Sequence, residues 1–165
     1  MPPVAPPDHP SMFPLGFHHL TMGDIEQACV DLFPLSTSRA VIFSGLVTFV
    51  ETLEAAKVPG QLWIDGSFLT EKIDPKDVDV ILKVDGAIYN SGTLEQRQAI
   101  DWVNANQKLT LKCESYALMQ YPVGHFLHDE GLWWYSYWHK QWGFSREEDP
   151  KGIVVLTLGA GGTHE

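Results

Sequence analysis

Residues 61–84 read QLWIDGSFLTEKIDPKDVDVILKV, and this stretch decides the fold. Its first part, 61–65, is short and apolar and runs into a Gly-Ser pair, which predicts a buried strand that ends in a turn. Its last part, 77–84, opens with a D-x-D pattern and alternates, which predicts a second strand. Side chains two positions apart in a strand share a face, so Asp77 and Asp79 are expected together on one face.

Asp77 and Asp79 form the candidate metal site. Their side chains would lie roughly 6–7 Å apart along the strand. Carboxylate oxygens are the ligands that Mg²⁺ or Mn²⁺ prefers. Two such ions, about 4 Å apart, hold the attacking and leaving oxygens in many phosphoryl transfers. An isolated D-x-D is more often a solvent-facing pair on an edge strand, but the preceding Gly-Ser turn favours metal binding here.

Gly66 and Ser67 form a candidate phosphate-binding turn. Glycine lets the backbone approach a phosphate closely, and the N–H groups of a helix start, with the Ser67 hydroxyl, are suited to the β- and γ-phosphates. Lys72 lies between the turn and the D-x-D pattern and would offset phosphate charge as a point cation. The alternatives are that Ser67 only caps a helix and that Lys72 is an ordinary surface lysine.

The whole chain is predicted to form one domain with two extensions. Residues 1–20 are rich in proline and histidine and predict an extended arm, residues 21–158 the domain, and residues 159–165 a flexible tail. N-capping residues and apolar positions at a period of 3.6 predict helices, and alternating or β-branched runs predict strands. The predicted helices run from Thr21 to Leu32, from Ser36 or Ser38 to about Lys57, over 93–106 and over 130–141, and the further strands over 109–118 and 152–158.

Composition sets limits on the class of protein. The chain has 165 residues, of which 44% are hydrophobic, which fits one domain with a sizeable core. Its formal net charge of −10 argues against non-specific binding to DNA or RNA, because like charges repel. A nucleotide bound through a metal ion stays compatible with that charge.

The two cysteines and the hydropathy pattern predict a cytoplasmic protein. Cys29 and Cys113 have no C-x-x-C spacing, and both lie in apolar surroundings, which predicts reduced, buried thiols. The start of the chain lacks the basic residues and apolar run of a signal peptide. No apolar stretch reaches the roughly 18 residues that a membrane span needs.

The Gly-Ser turn followed by D-x-D resembles the motif of the DNA polymerase β-type nucleotidyltransferase superfamily. The chain is similar to a family of small bacterial and phage nucleotidyltransferase-like proteins. That similarity runs through three segments in order: FPLGFHHLTMGDI, WIDGSFLTEKIDPKDVDVIL and WGFSREEDPKGIVVLTL. The resemblance implies an α+β (α/β) fold, a minimal polymerase-β-type mixed sheet flanked by helices. It also implies Mg²⁺ and a nucleoside triphosphate such as ATP.

The resemblance also implies a third carboxylate on a later strand. Glu114 is the best candidate, and Asp85, Asp101 and Asp129 are alternatives. The superfamily residue is usually Asp, and the extra methylene of Glu alters how it reaches a metal. A second glycine that many active members carry after Gly-Ser is replaced here by Thr-Glu-Lys at 70–72.

A dense aromatic block occupies the last predicted helix and comprises Trp133, Trp134, Tyr135, Tyr137, Trp138 and Trp142. At helical spacing such residues most often belong to the core. A partner interface and stacking on a nucleobase are the alternatives.

These observations favour a metal-dependent nucleotidyltransferase. Asp77, Asp79 and Glu114 would bind metal and carry the chemistry, and Gly66, Ser67 and Lys72 would bind the nucleotide. A nucleoside monophosphate would pass from the triphosphate by a two-metal mechanism to a protein, an RNA end or a small molecule, with pyrophosphate released. The alternative is a catalytically degenerate fold that acts as a binding or regulatory partner, for example in a toxin–antitoxin or phage-defence system.

Overall fold

The computed structural model describes residues 9–145 and 149–159, which form a mixed five-stranded sheet with helices on both faces. The strand order is β1-β5-β2-β3-β4. β2 runs antiparallel to both β3 and β5, whereas β1 is parallel to β5 and β4 is parallel to β3. The expected α+β class is confirmed. The strands are β1 Gly16–His19, β2 Gly60–Asp65, β3 Val78–Asp85, β4 Cys113–Gln120 and β5 Gly152–Leu158.

Two helices begin at the capping threonines that the sequence predicts. Thr21 accepts a hydrogen bond from the amide of Asp24 and Thr93 from that of Gln96, and each capping box is completed in the reverse direction. A π-helical turn, Gln27–Asp31, continues the first helix. The helices are α1 Met22–Glu26, α2 Arg39–Ala55, α3 Gly86–Ser91, α4 Leu94–Asn104, α5 Lys108–Leu111 and α6 His128–Gly143.

The alternation of β3 divides the core between the two faces of the sheet. Val80 and its even-numbered neighbours join the main core with α2 and α4, which supply residues such as Phe49 and Ile100. Ile81 points the other way and packs beneath α6 in a smaller cluster that also contains Trp63 and Trp142. Asp79 is two positions from Ile81 and therefore lies on the α6 face of the sheet.

Part of the predicted N-terminal arm belongs to the sheet. Gly16–His19 forms the edge strand β1 and pairs with Gly152–Val155 of β5. Proline-rich sequence does not predict this pairing, because the partner strand lies at the opposite end of the chain. The first eight residues of the arm, and all of the predicted tail except Gly159, lie outside the described residues.

The predicted strand over 109–118 begins later than expected. Lys108–Leu111 forms the one-turn helix α5, and Lys112 reverses the chain with a φ of 57°. The strand β4 begins only at Cys113. The alternating pattern of residues 109–118 therefore corresponds to a strand only from Cys113 onward.

No helix in residues 9–145 and 149–159 is long and apolar enough to cross a membrane.

Candidate functional site

The candidate metal-binding residues come from two neighbouring strands. Asp77 immediately precedes β3 and Asp79 lies within it, while Glu114 lies in β4. The register of these parallel strands places Asp79 opposite Glu114, so their carboxylates share a face. One carboxylate oxygen from each of Asp77, Asp79 and Glu114 lies within 4.8 Å of the other two. The three residues that the sequence proposes as metal ligands are therefore brought together.

The Gly-Ser turn lies directly against this carboxylate cluster. Asp65, the last residue of β2, pairs with Asp79 across the sheet and is only 1% exposed. Gly66 follows with a φ of +88°, and a Cβ added there would stand 2.7 Å from Oδ2 of Asp79. Only glycine combines this backbone conformation with so close an approach. The turn after it, Ser67–Leu69, is a single 3₁₀ turn rather than the start of a longer helix.

Two lysines balance part of the negative charge. Nζ of Lys108 lies 3.3 Å from Oδ2 of Asp77. Nζ of Lys151 lies 3.3 Å from Oδ2 of Asp65. The second pair is well buried, with side-chain exposures of 18% for the lysine and 2% for the aspartate. The site thus sets the carboxylates of four acidic residues against two ammonium groups.

The electrostatics of the cluster fit a divalent cation. Burial raises the pKa of Asp79 to about 7, and the nearby charges of Glu114 and Asp77 push it in the same direction. Burial also raises the pKa of Asp65 to about 7, against the opposing charge of Lys151. A cation among these oxygens would offset the repulsion, and an all-oxygen donor set is what Mg²⁺ or Mn²⁺ takes.

Tyr116 connects the carboxylates to α6. Its hydroxyl donates to Oε1 of Glu114 at 3.4 Å. Its ring stacks on that of Trp138, with the centroids 5.1 Å apart. Burial raises the pKa of Tyr116, and the charge of Glu114 adds to that effect, so the phenol remains a donor at neutral pH. The aromatic block of α6 therefore borders the candidate site.

The segment between β2 and β3 is tied to α2. Arg39 is fully buried, and its guanidinium donates to the carbonyls of Phe68, Thr70 and Lys72. Asp74 accepts hydrogen bonds from the amide and hydroxyl of Thr37. These contacts hold the segment in place behind Ser67.

Of the predicted nucleotide-binding residues, Gly66 and Ser67 lie at the cluster, whereas Lys72 does not reach it. The hydrogen bonds of Lys72 are made by its backbone, whose carbonyl accepts from Arg39 and whose amide donates to the Thr70 hydroxyl, and its ammonium makes no ion pair with any described residue. The sequence reasoning missed Asp65 and Lys108. An aspartate at the end of an apolar strand, directly before Gly66, was a usable signal. Lys108 gave none, because the α5 turn that places it was predicted as strand.

Gly66→Ala is expected to destabilise the protein by about 2–4 kcal/mol, because the left-handed backbone is strained by a Cβ and the Asp79 carboxylate must move. Gly124 provides the matched control: its φ is +94°, and a Cβ there would meet nothing within 4 Å. Urea unfolding should show a clearly smaller loss for Gly124→Ala. Equal losses of unfolding free energy in the two variants would mean that the Asp79 carboxylate moves aside without a measurable energetic cost.

Comparisons with known proteins place the chain in a family. A family model described as "Family of unknown function (DUF6932)" matches residues 6–157. No curated protein and no solved structure matches the chain. The match covers most of the chain, from before β1 to residue 157 of β5, and includes the whole carboxylate cluster, so the chain belongs to the DUF6932 family.

Proposed function

We propose that this protein is a metal-dependent nucleotidyltransferase. The observation that carries the proposal is the cluster of Asp77, Asp79 and Glu114, whose oxygens lie within 4.8 Å of one another, directly beside the Gly66 turn. The donor would be a nucleoside triphosphate such as ATP, and the product would be a nucleoside monophosphate joined to an acceptor. The resemblance to the polymerase β-type superfamily supports the same reaction.

Each residue of the site has a proposed role. Asp77, Asp79 and Glu114 would hold Mg²⁺ or Mn²⁺, which supplies charge neutralisation for phosphoryl transfer when bound. Glu114 would also accept the proton of the acceptor hydroxyl, and Tyr116 would orient Glu114 through its hydrogen bond. The amides at the start of the Ser67–Leu69 turn would face the phosphates, since the first amides of such a turn lack an acceptor within it.

Lys108 and Lys151 are the proposed cations of the site in place of Lys72. Nζ of Lys108 lies 3.3 Å from Asp77 of the cluster, and Nζ of Lys151 lies 3.3 Å from the neighbouring Asp65. A lysine is a flexible point charge and is therefore suited to exchange a carboxylate for a phosphate. A cytoplasmic location is also part of the proposal, supported by the free, buried thiols of Cys29 and Cys113.

A binding or regulatory role on a degenerate fold is the second candidate. It is favoured by the apolar side chains that α6 and the preceding loop expose, among them Trp133 at 59% and Phe126 at 87%. Exposed aromatic residues of this kind often mark a partner surface. A toxin–antitoxin or phage-defence partner would then occupy this surface, without nucleotide turnover.

Thermal unfolding in the presence of the four nucleoside triphosphates, with and without Mg²⁺ or Mn²⁺, tests the first proposal. A triphosphate at about 100 times its dissociation constant should stabilise the wild type by roughly 2.7 kcal/mol, and only with metal. Asp77→Asn and Asp79→Asn should lose this effect and the release of pyrophosphate. Asp31→Asn, an exposed aspartate outside the cluster, is the control and should retain both. Absence of any metal-dependent shift in the wild type would contradict the proposal.

A further inference from the structure

A cleft of about 380 Å³ opens between β4 and α6. That volume lies at the small end of ligand pockets, roughly 300–1,000 Å³. Its walls are mainly aromatic and aliphatic, and the side chains that define them are Tyr116, Leu118, Met119, Leu127, Trp134 and Trp138. Such walls suit a planar ring, which gains from stacking as well as from burial.

The cleft adjoins the carboxylate cluster on one side only. Tyr116 belongs to both, because it lines the cleft and its hydroxyl lies 3.4 Å from Oε1 of Glu114. The Gly66 turn follows β2, the D-x-D residues lie on β3, and Glu114 lies on β4, in that order across the sheet. The cleft is therefore beyond Glu114, on the side of the carboxylates opposite to the turn proposed for the triphosphate.

The charge of the cleft argues against a polyanionic ligand. Glu130 lines it, and no lysine, arginine or histidine does so among the described residues. Nucleic acids bind to proteins chiefly by neutralising phosphates with such cations. The polar side chains that line the cleft are Glu130, Asn104, Tyr116 and Tyr121. Oδ1 of Asn104 accepts from the Ala117 amide at 2.9 Å. The two N–H donors of Asn104, the phenol hydroxyls and the Glu130 carboxylate suit the uncharged polar edge of a small molecule.

Resting on the proposed function, we propose that this cleft binds the acceptor, and that the acceptor is an uncharged, nucleoside-sized molecule with a planar ring and a hydroxyl group. The ring stacks against Trp134 and Trp138, and the hydroxyl points past Tyr116 to Glu114. The acceptor oxygen gives its proton to the Glu114 carboxylate and forms a bond to the α-phosphorus. The bond from that phosphorus to the bridging oxygen breaks, and pyrophosphate leaves with the electron pair.

The first test uses binding alone. Adenosine, guanosine, cytidine and uridine are titrated separately into the metal-free, full-length protein, and the amide resonances of Met119 and Gly131 are followed by NMR. We expect at least one nucleoside to shift both resonances in a saturable way. Trp134→Ala should weaken that binding about tenfold, as loss of a stacking partner does. Absence of a response at these amides with all four nucleosides would overturn the proposal.

Leu132→Ala is the matched control. Leu132 also lies on α6, is 52% exposed, and is not among the residues that line the cleft. Its removal should leave the dissociation constant of the nucleoside unchanged. A single-stranded RNA oligonucleotide is titrated in the same way to test the opposing hypothesis. Tighter binding of the oligonucleotide than of any nucleoside, at the same two amides, would overturn the uncharged ligand in favour of an RNA end.

The second test separates this inference from the proposed function. With the nucleoside that binds, α-labelled ATP and Mg²⁺, Trp134→Ala should raise the KM for the nucleoside about tenfold and leave the KM for ATP unchanged. An increase in the KM for ATP instead would place the donor base in the cleft and overturn the acceptor assignment. Nucleoside binding needs neither metal nor triphosphate. Failure of the cleft to bind nucleosides is thus distinguishable from failure of metal-dependent triphosphate binding.

Discussion

Arg39→Met is expected to lower the free energy of unfolding by about 3–5 kcal/mol, the largest stability loss of any variant considered. The guanidinium is completely buried and donates to backbone carbonyls of Cys29, Phe68, Thr70 and Lys72 at 2.6–2.9 Å. Methionine fills much of the same volume but leaves those carbonyls without a donor in the interior. Each unsatisfied buried acceptor costs about 1–3 kcal/mol, in part relieved by water entering the gap.

The Arg39→Met prediction is checked by urea unfolding with two companion variants. Arg39→Lys keeps the charge but not the planar fork, so an intermediate loss is expected. Arg97→Met removes an exposed arginine from α4 and should change stability by less than about 0.5 kcal/mol. A loss below about 1 kcal/mol for Arg39→Met would contradict the argument that the guanidinium anchors the segment behind Ser67.

The metal-free protein is expected to lose stability as the pH rises from about 4 to about 7. Asp65 and Asp79 have an ordinary pKa of 3.8 in the unfolded chain and a pKa of about 7 in the folded one. Between these values the folded state holds more protons, so each step upward in pH favours unfolding. The loss should be complete at about pH 7–8. Its total is expected to be about 2–4 kcal/mol, since the two groups interact and Asp79 keeps some access to water.

Asp79→Asn should abolish much of this pH dependence. The asparagine removes one of the crowded charges, so the variant is expected to be more stable than the wild type at pH 7.5 and similar to it at pH 4.5. Unfolding in urea at both pH values measures the effect, with Asp31→Asn as a control that should retain the wild-type slope. A wild type that is more stable at pH 7.5 than at pH 5.5 would show that ionisation of these carboxylates does not destabilise the folded protein.

Asp79→Asn also separates stability from function. The substitution is expected to stabilise the metal-free chain and at the same time to remove metal-dependent triphosphate binding. A variant that is merely misfolded would lose stability as well as triphosphate binding. Opposite signs for the two effects are characteristic of a site whose charges are arranged for a ligand rather than for the fold.

The sequence alone determined the elements that depend on neighbouring residues. The capping boxes at Thr21 and Thr93 and the period of α2 are local signals. The alternation that brings Asp77 and Asp79 to one face follows from strand geometry without any partner. The mixed α+β sheet was likewise predicted. Metal and triphosphate binding remain predictions that rest on these residues.

The tertiary structure decided everything that depends on pairing between distant segments. Glu114, rather than Asp85 or Asp101, joins the cluster because β4 lies parallel to β3 in a register that sets it opposite Asp79. Asp85 instead caps α3, and Asp101 accepts a hydrogen bond from Tyr89. The strand order and the partner of each strand depend on the packing of the whole core, and the sequence of one segment alone does not specify them.

The same reason explains the contacts that the sequence did not predict. Lys151 meets Asp65 because β5 lies beside β2, although the two are far apart in the chain. Lys108 meets Asp77 through the short turn of α5. Gly16–His19 becomes a strand only because β5 offers it a free edge. Ion pairs and edge pairings of this kind depend on which distant segments the fold brings together. The Gly66 turn and the D-x-D strand depend on neighbouring residues and could therefore be predicted from the sequence.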